Sequence, residues 1–181
     1  MKAVFLRASL LIMPLSLAAC ATTSGGAGEQ GGTEITRMHL GQPVAKGQIA
    51  VEAFEPADAN SPEFRSYSAS VQRQLTRLGW TVVNTAGRSE QVALIDVEQG
   101  SRGALQSRGM RIGAGAAAGG ASDAMATMLE VRIKRRSDGS VIWEGRAISD
   151  SGGDRSAAVE RLSEALFQDF PGESGRTIRL P

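Results

Sequence analysis

Two nine-residue runs of alternating polarity, joined by an Asp-Gly turn, commit this chain to an antiparallel hairpin. In Met128–Arg136, the side chains of Met128, Glu130, Arg132 and Lys134 stand opposite Leu129, Val131 and Ile133. In Val141–Ser149, Val141, Trp143, Gly145 and Ala147 alternate with Ile142, Glu144, Arg146 and Ile148. A period of two sends successive side chains to opposite faces of a strand. Between the runs, Ser137-Asp138-Gly139-Ser140 carries the dipeptide that favours a tight turn.

The rest of the chain extends that hairpin into a sheet. Gly47–Phe54 alternates Ile49, Val51 and Ala53 with Gln48, Ala50 and Glu52, which predicts a strand. Ser61, Pro62 and Glu63 form a helix start, and Phe64, Tyr67, Val71, Leu75 and Leu78 then fall on one helical stripe. Gly79 occupies the position where a left-handed residue closes a helix. Further strands are expected at Trp80–Asn84, Val92–Glu98 and, at the tail, Thr177–Leu180. A second helix, capped by Asp154 or Ser156, runs to about Asp169, with Val159, Leu162, Leu166 and Phe170 on its buried stripe. Gly100–Thr127, with seven glycines and no usable period, reads as a long connection between strands that adds little to the core. The fold class is therefore α/β (α+β): a two-layer sandwich in which two helices pack on one face of a mixed or antiparallel sheet. Phe64, Tyr67, Leu75, Leu162, Leu166 and Phe170 should be buried. Trp80 and Trp143 read as core residues, and the face of Trp143 is left open.

Residues 1–20, MKAVFLRASLLIMPLSLAAC, precede this domain. Lys2 and Arg7 supply a positive beginning, and Ala8–Ala19 carries no charge. The stretch is shorter than the roughly 20 apolar residues a membrane span needs, and has the layout of a secretory signal peptide. Leu17-Ala18-Ala19-Cys20 resembles the lipobox of bacterial lipoproteins. That resemblance implies a diacylglycerol on the Cys20 thiol, cleavage before it, and acylation of the new amine. Multiple chains suit stable anchoring, since each buried CH₂ contributes roughly 0.8 kcal/mol. Ala21, rather than Asp, follows the Cys, and this implies the outer membrane, with the domain facing the periplasm. The organisation is thus a signal peptide over 1–19, a lipidated Cys with a flexible tether over 20–46, and one α/β domain over 47–181. The Gly-, Ser- and Thr-rich tether should reach on the order of 25–30 Å as a coil.

The layout is similar to that of bacterial lipoproteins of the domain-of-unknown-function 4136 family. The carriers are the lipobox, the Phe64/Tyr67 helix ending in Leu78-Gly79-Trp80, the Val141-Ile142-Trp143-Glu144-Gly145-Arg146-Ala147 strand, and the closing Ala165-Leu166-Phe167 and Phe170-Pro171-Gly172. The resemblance covers most of residues 47–172 and implies an envelope lipoprotein without an assigned activity.

Composition narrows the chemistry. With 20 basic and 19 acidic residues there is no basic excess of the kind nucleic acid selects. One Cys and one His exclude multi-Cys and multi-His metal centres, and no cofactor is expected. His39 lies within the tether, so a Ser-His-Asp or Cys-His arrangement has no partner there. The chain therefore reads as a non-enzymatic binding or scaffolding module, held to the membrane by Cys20 and accessory to an envelope protein partner in transport or assembly. The alternative is a lipid or small-ligand binder using the helix–sheet cleft. Arg102, Arg108 and Arg111, flanking the glycine-rich stretch, are the candidate binding residues, because guanidinium groups grip phosphates bidentately. Arg132, Lys134, Arg135 and Arg136 read as strand-edge charges that discourage sheet-to-sheet pairing.

Overall fold

The computed structural model describes residues 32–85, 87–109, 124–150 and 153–181. Along the chain it runs β1 (Thr33–His39), β2 (Gln48–Ala53), a single 3₁₀ turn at Pro56–Asp58, α1 (Pro62–Arg77), β3 (Thr81–Val82), β4 (Gln91–Ser101), α2 (Arg102–Gly109), β5 (Met125–Arg135), β6 (Val141–Asp150), α3 (Arg155–Phe167) and β7 (Thr177–Leu180). The strands form one seven-stranded sheet in the order β3-β2-β4-β5-β6-β1-β7. β2 is parallel to β3 and β4, and every other pairing is antiparallel. The sheet is mixed, and α1 and α3 share one of its faces, as the alternation and the apolar stripes imply.

The local signals explain the elements. Ser61 caps α1 by accepting from the Phe64 amide at 3.0 Å, and Pro62 opens the helix. Gly79 ends it at φ 97°, where a Cβ would be strained. Asp154 caps α3 through the Ser156 amide at 3.1 Å. The core between helices and sheet contains Tyr67, Val71 and Leu75 of α1 and Val159, Leu162, Leu166 and Phe167 of α3. These meet Ala93, Ile95, Leu129, Val131, Ile133, Trp143 and Ala147 of the sheet. Phe64 and Phe170 are only partly buried at the margin of this core.

Trp143 is fully buried on this face, which resolves the position left open above. Its ring lies along its own strand: a Cβ at Gly145 would come within 2.2 Å of the indole and 2.8 Å of Leu166. Only glycine leaves that space. The ring stacks on Phe167 at 5.4 Å, meets Phe170 at 5.2 Å, and donates through Nε1 to the Pro171 carbonyl at 3.1 Å. Trp80 is buried too, edge-on to Phe170 at 5.3 Å, with Nε1 donating to Gln91 Oε1 at 2.8 Å.

Three expectations need correction. The tether expected over 20–46 is wrong for its second half, because Thr33–His39 is a strand inside the sheet, between β6 and β7. Val44 packs on the core and the Ala45 carbonyl accepts from Gln91 Nε2 at 2.9 Å, so these residues also belong to the domain. The inner face of β1 carries Thr33, Ile35, Arg37 and His39, of which only Ile35 is apolar, so apolar periodicity could not reveal it. The connection at Gly100–Thr127 is not featureless: it contains the end of β4, the helix α2 and the start of β5. Finally, the described residues contain three helices, not two. Leu105 of α2 packs with Ala126, Met128 and Ile148. These strand positions alternate with Leu129 and Ala147, so α2 covers part of the sheet face opposite α1 and α3.

Candidate functional site

The sheet face opposite α1 and α3 concentrates the ionisable side chains. The strand period and register set its rows. Asp96 of β4, Glu130 of β5, Arg146 of β6 and Thr36 of β1 are direct cross-strand partners, and the adjacent row is Glu52, Leu94, Arg132, Glu144 and Met38. Glu130 is the hub. It is 6% exposed, and its two oxygens are taken by Arg132 and by Arg146, the latter at 2.6 Å. Arg132 Nε also lies 3.4 Å from Glu144 Oε2, and its guanidinium sits over the Phe54 ring at 4.7 Å. At the periphery, Arg136 pairs with Glu52, and Arg108 with Glu98.

This row has one carboxylate too many. Asp96 faces Glu130 directly across β4 and β5, and no cation lies within ion-pair distance of it among the described residues. Like charges in that position repel. Burial pushes the Asp96 carboxyl above its ordinary pKa, with the charge of Glu130 adding to the rise. Burial also raises Glu144, again with help from Glu130 and against Arg132 and Arg146. The Nε atoms of Arg132 and Arg146 are buried without a hydrogen-bond acceptor among the described residues. The hairpin turn is the opposite case. Fully exposed Asp138 accepts from the Ser140 amide and hydroxyl and from Arg135, and its carboxyl falls to about 2.

The predicted arginines have structural partners. Arg102, at the start of α2, donates from Nε to Asp150 Oδ1 at 2.8 Å and from Nη2 to the Gly32 carbonyl at 3.2 Å, with Glu34 3.8 Å away. It clamps the place where the N-terminal segment joins the sheet. Arg108 is exposed but paired with Glu98. Arg102 is thus engaged by carboxylates of β1 and β6, and Arg108 by Glu98 of the strand that leads into its own helix. Arg111 and Cys20 lie outside the described residues. Arg132, Arg135 and Arg136 are likewise in ion pairs, so their charges are spent within the sheet and its turn.

Two residues of β1 form a feature that composition and motif did not suggest. Arg37, 5% exposed, faces the helices and caps the end of α3. Its Nε donates to the Leu166 carbonyl at 2.9 Å, and its Nη2 donates to those of Ala165 and Gln168 at 3.0 and 2.9 Å. These are carbonyls that a helix C-terminus leaves without internal partners, at the negative end of its dipole. Burial lowers the guanidinium's pKa, and the charge of Asp169 opposes that shift. His39 is not a tether residue. The Gly41 amide donates to its Nδ1 at 3.1 Å, which leaves Nε2 to donate to the Gly172 carbonyl at 2.9 Å. Nε2 thus holds the end of β1 against the segment after α3, while Nδ1 closes a local turn at Gly41.

The core side chains pack between the helices and the sheet. Shallow open grooves lie outside this core, one between α1 and α3 along Gln74, Arg77, Arg161 and Glu164, another between α1 and β3 along Gln72, Arg73 and Asn84. Among the described residues, no group of three His, Cys, Asp or Glu side chains is placed to hold a metal ion, and no helix is long and apolar enough to cross a membrane.

No known family model matches the chain. It is 25% identical over 210 aligned positions to the uncharacterized protein ZMO1243 of Zymomonas mobilis subsp. mobilis, covering 81% of this chain and 79% of that one. Among solved structures, it is similar to a PDZ domain protein from Parabacteroides distasonis, with a TM-score of 0.55 and 11% identity. That likeness covers 83% of this chain but only 39% of the other, so this chain spans well under half of that protein. A fainter likeness is to the PelC dodecamer from Paraburkholderia phytofirmans, with a TM-score of 0.44, 12% identity, and coverage of 74% and 93%. At such identities, the similarity to the PDZ domain protein concerns the path of the backbone alone.

Proposed function

We propose that this chain is a non-enzymatic lipoprotein of the domain-of-unknown-function 4136 kind, anchored through Cys20 in the outer membrane with its domain facing the periplasm. It acts as a binding or scaffolding module for an envelope protein partner. The observation that carries this reading is Leu17-Ala18-Ala19-Cys20, with the chain's only Cys placed behind a charged start and an uncharged apolar run. The geometry is compatible with it. The described residues begin at Gly32, twelve residues after Cys20, and lead directly into the sheet through β1. Two observations support the reading: both nitrogens of the single His are engaged by backbone groups, and the sheet face offers a ladder of paired charges. The ligand-binding alternative has less to rest on, since aromatic and aliphatic side chains occupy the helix–sheet space it would use.

Growth with a clickable fatty acid tests the anchor. The native chain should be labelled and float with membranes. Cys20→Ala should lose the label and leave the membrane fraction. A label that persists on Cys20→Ala would refute lipid attachment at this residue.

A further inference from the structure

We propose that the end of the sheet carrying Gly32, Met125 and Leu180 is the surface the domain turns toward the bilayer, and that the end carrying Leu40 and Val141 is presented away from it. This rests on the anchoring of Cys20 argued above. The register brings five strand ends together. Thr33 of β1 pairs with Leu180 of β7, Ser101 of β4 with Met125 of β5, and Ala126 of β5 with Asp150 of β6. The chain toward Cys20 leaves from this end, and Arg102 holds its last described carbonyl, that of Gly32, against Asp150.

Chain length then selects the orientation. Residues 21–32 can span at most about 40 Å, even fully extended. β5 alone, with eleven residues, is about 35 Å long. To bring the opposite end to the headgroups, the connecting chain would have to run back along nearly the whole sheet. That needs almost full extension and forfeits the conformational freedom of every residue in it. With the Gly32 end toward the lipid, no such extension is needed.

The surface at this end suits a neighbouring bilayer. Met125, the first residue of β5, is 56% exposed there and offers a large apolar side chain. The carboxylates of Asp150 and Glu34 are offset by Arg102, so they do not present bare negative charge to lipid phosphates. At the other end, Leu40 is 83% exposed and Val141 44%, beside the Asp138 turn, where a partner in the periplasm could reach them.

Site-specific quenching in vesicles tests the orientation. The acylated full chain, carrying either Met125→Cys or Leu40→Cys, is labelled with a fluorophore. It is reconstituted into phosphatidylethanolamine–phosphatidylglycerol vesicles that contain a headgroup-nitroxide lipid. Both positions are exposed, so neither change should disturb the core. Quenching at residue 125 should exceed that at residue 40 several-fold. Flotation with the vesicles but equal or reversed quenching overturns the orientation alone. Failure of the native chain to acquire acyl chains and float overturns the anchor and the orientation together.

Discussion

The two faces of the sheet are held by different forces. Toward α1 and α3, the face is aliphatic and aromatic, closed over Leu129, Val131, Ile133 and Trp143, and it admits one charge, Arg37, at a helix end that calls for one. Away from them, the face is a ladder of carboxylates and guanidinium groups covered in part by α2 through a four-residue apolar patch. The first depends on volume and exclusion of water, so it should tolerate changes of pH and salt but not loss of a methyl group. The second depends on charge pairing that runs from the buried Glu130–Arg146 pair, whose partners rely on one another, to an exposed pair such as Arg108–Glu98, which contributes little and responds to salt. The aliphatic and aromatic layer therefore answers to packing, and the ladder to charge balance around Glu130.

The largest effect should come from breaking the covered face. Leu166 is fully buried beside Trp143, and Leu166→Ala should cost about 2–5 kcal/mol in urea unfolding followed by tryptophan fluorescence. A cost below about 1 kcal/mol would mean that the layer repacks around the cavity and is not the dominant source of stability. Next comes the charge within that face. Arg37→Met keeps the stem but strips the Leu166, Ala165 and Gln168 carbonyls of their donor, and should cost at least about 1.5–3 kcal/mol. Arg37→Lys should recover only part of this, since an ammonium lacks the planar fork. Equal stability of all three chains would remove Arg37 from the list of structural determinants.

The smallest effect, and of opposite sign, belongs to the charged face. The folded chain holds the Asp96 and Glu144 carboxyls above their unfolded pKa values, so it takes up protons before the unfolded chain does. Their cost to stability is absent below the unfolded values, grows as pH rises through the window up to the folded values, and is complete above it. Asp96→Asn should therefore stabilise the domain at neutral pH by about 0.2–1 kcal/mol, the scale of a cross-strand pair. The gain should shrink as pH is lowered through that window. A gain that persists unchanged in acid would locate the effect in side-chain packing instead of charge.

How much of this was legible depended on periodicity. The β5–β6 hairpin, α1 with its Ser61 cap, α3 with its Asp154 cap, and the β7 tail all follow from local patterns, because strand and helix faces repeat at fixed intervals. β1 was hidden because Ile35 is the one apolar residue among its inward positions, which also hold Thr33, Arg37 and His39. A buried arginine looks polar in a sequence until the carbonyls of a helix 128 and more residues away are placed over it. α2 was hidden because Leu105 is its one buried large side chain, in a segment rich in Gly, Ser and Arg. The partners of Arg102 were hidden for a related reason, since Glu34 and Asp150 come from strands far away in the sequence, whereas Arg108 pairs with Glu98 only ten residues before it.

By itself, the sequence determined which residues alternate, where helices start and stop, and that the chain's one Cys follows an uncharged apolar run. These are properties of neighbours along the backbone, set by dihedral geometry and by the period of each element. Only the tertiary structure decided that Thr33–His39 inserts between β6 and β7, that Arg37 closes α3, and that Asp96 faces Glu130 across two strands. Those outcomes depend on strand order and register, which are fixed by the simultaneous burial of many distant side chains and by no local pattern.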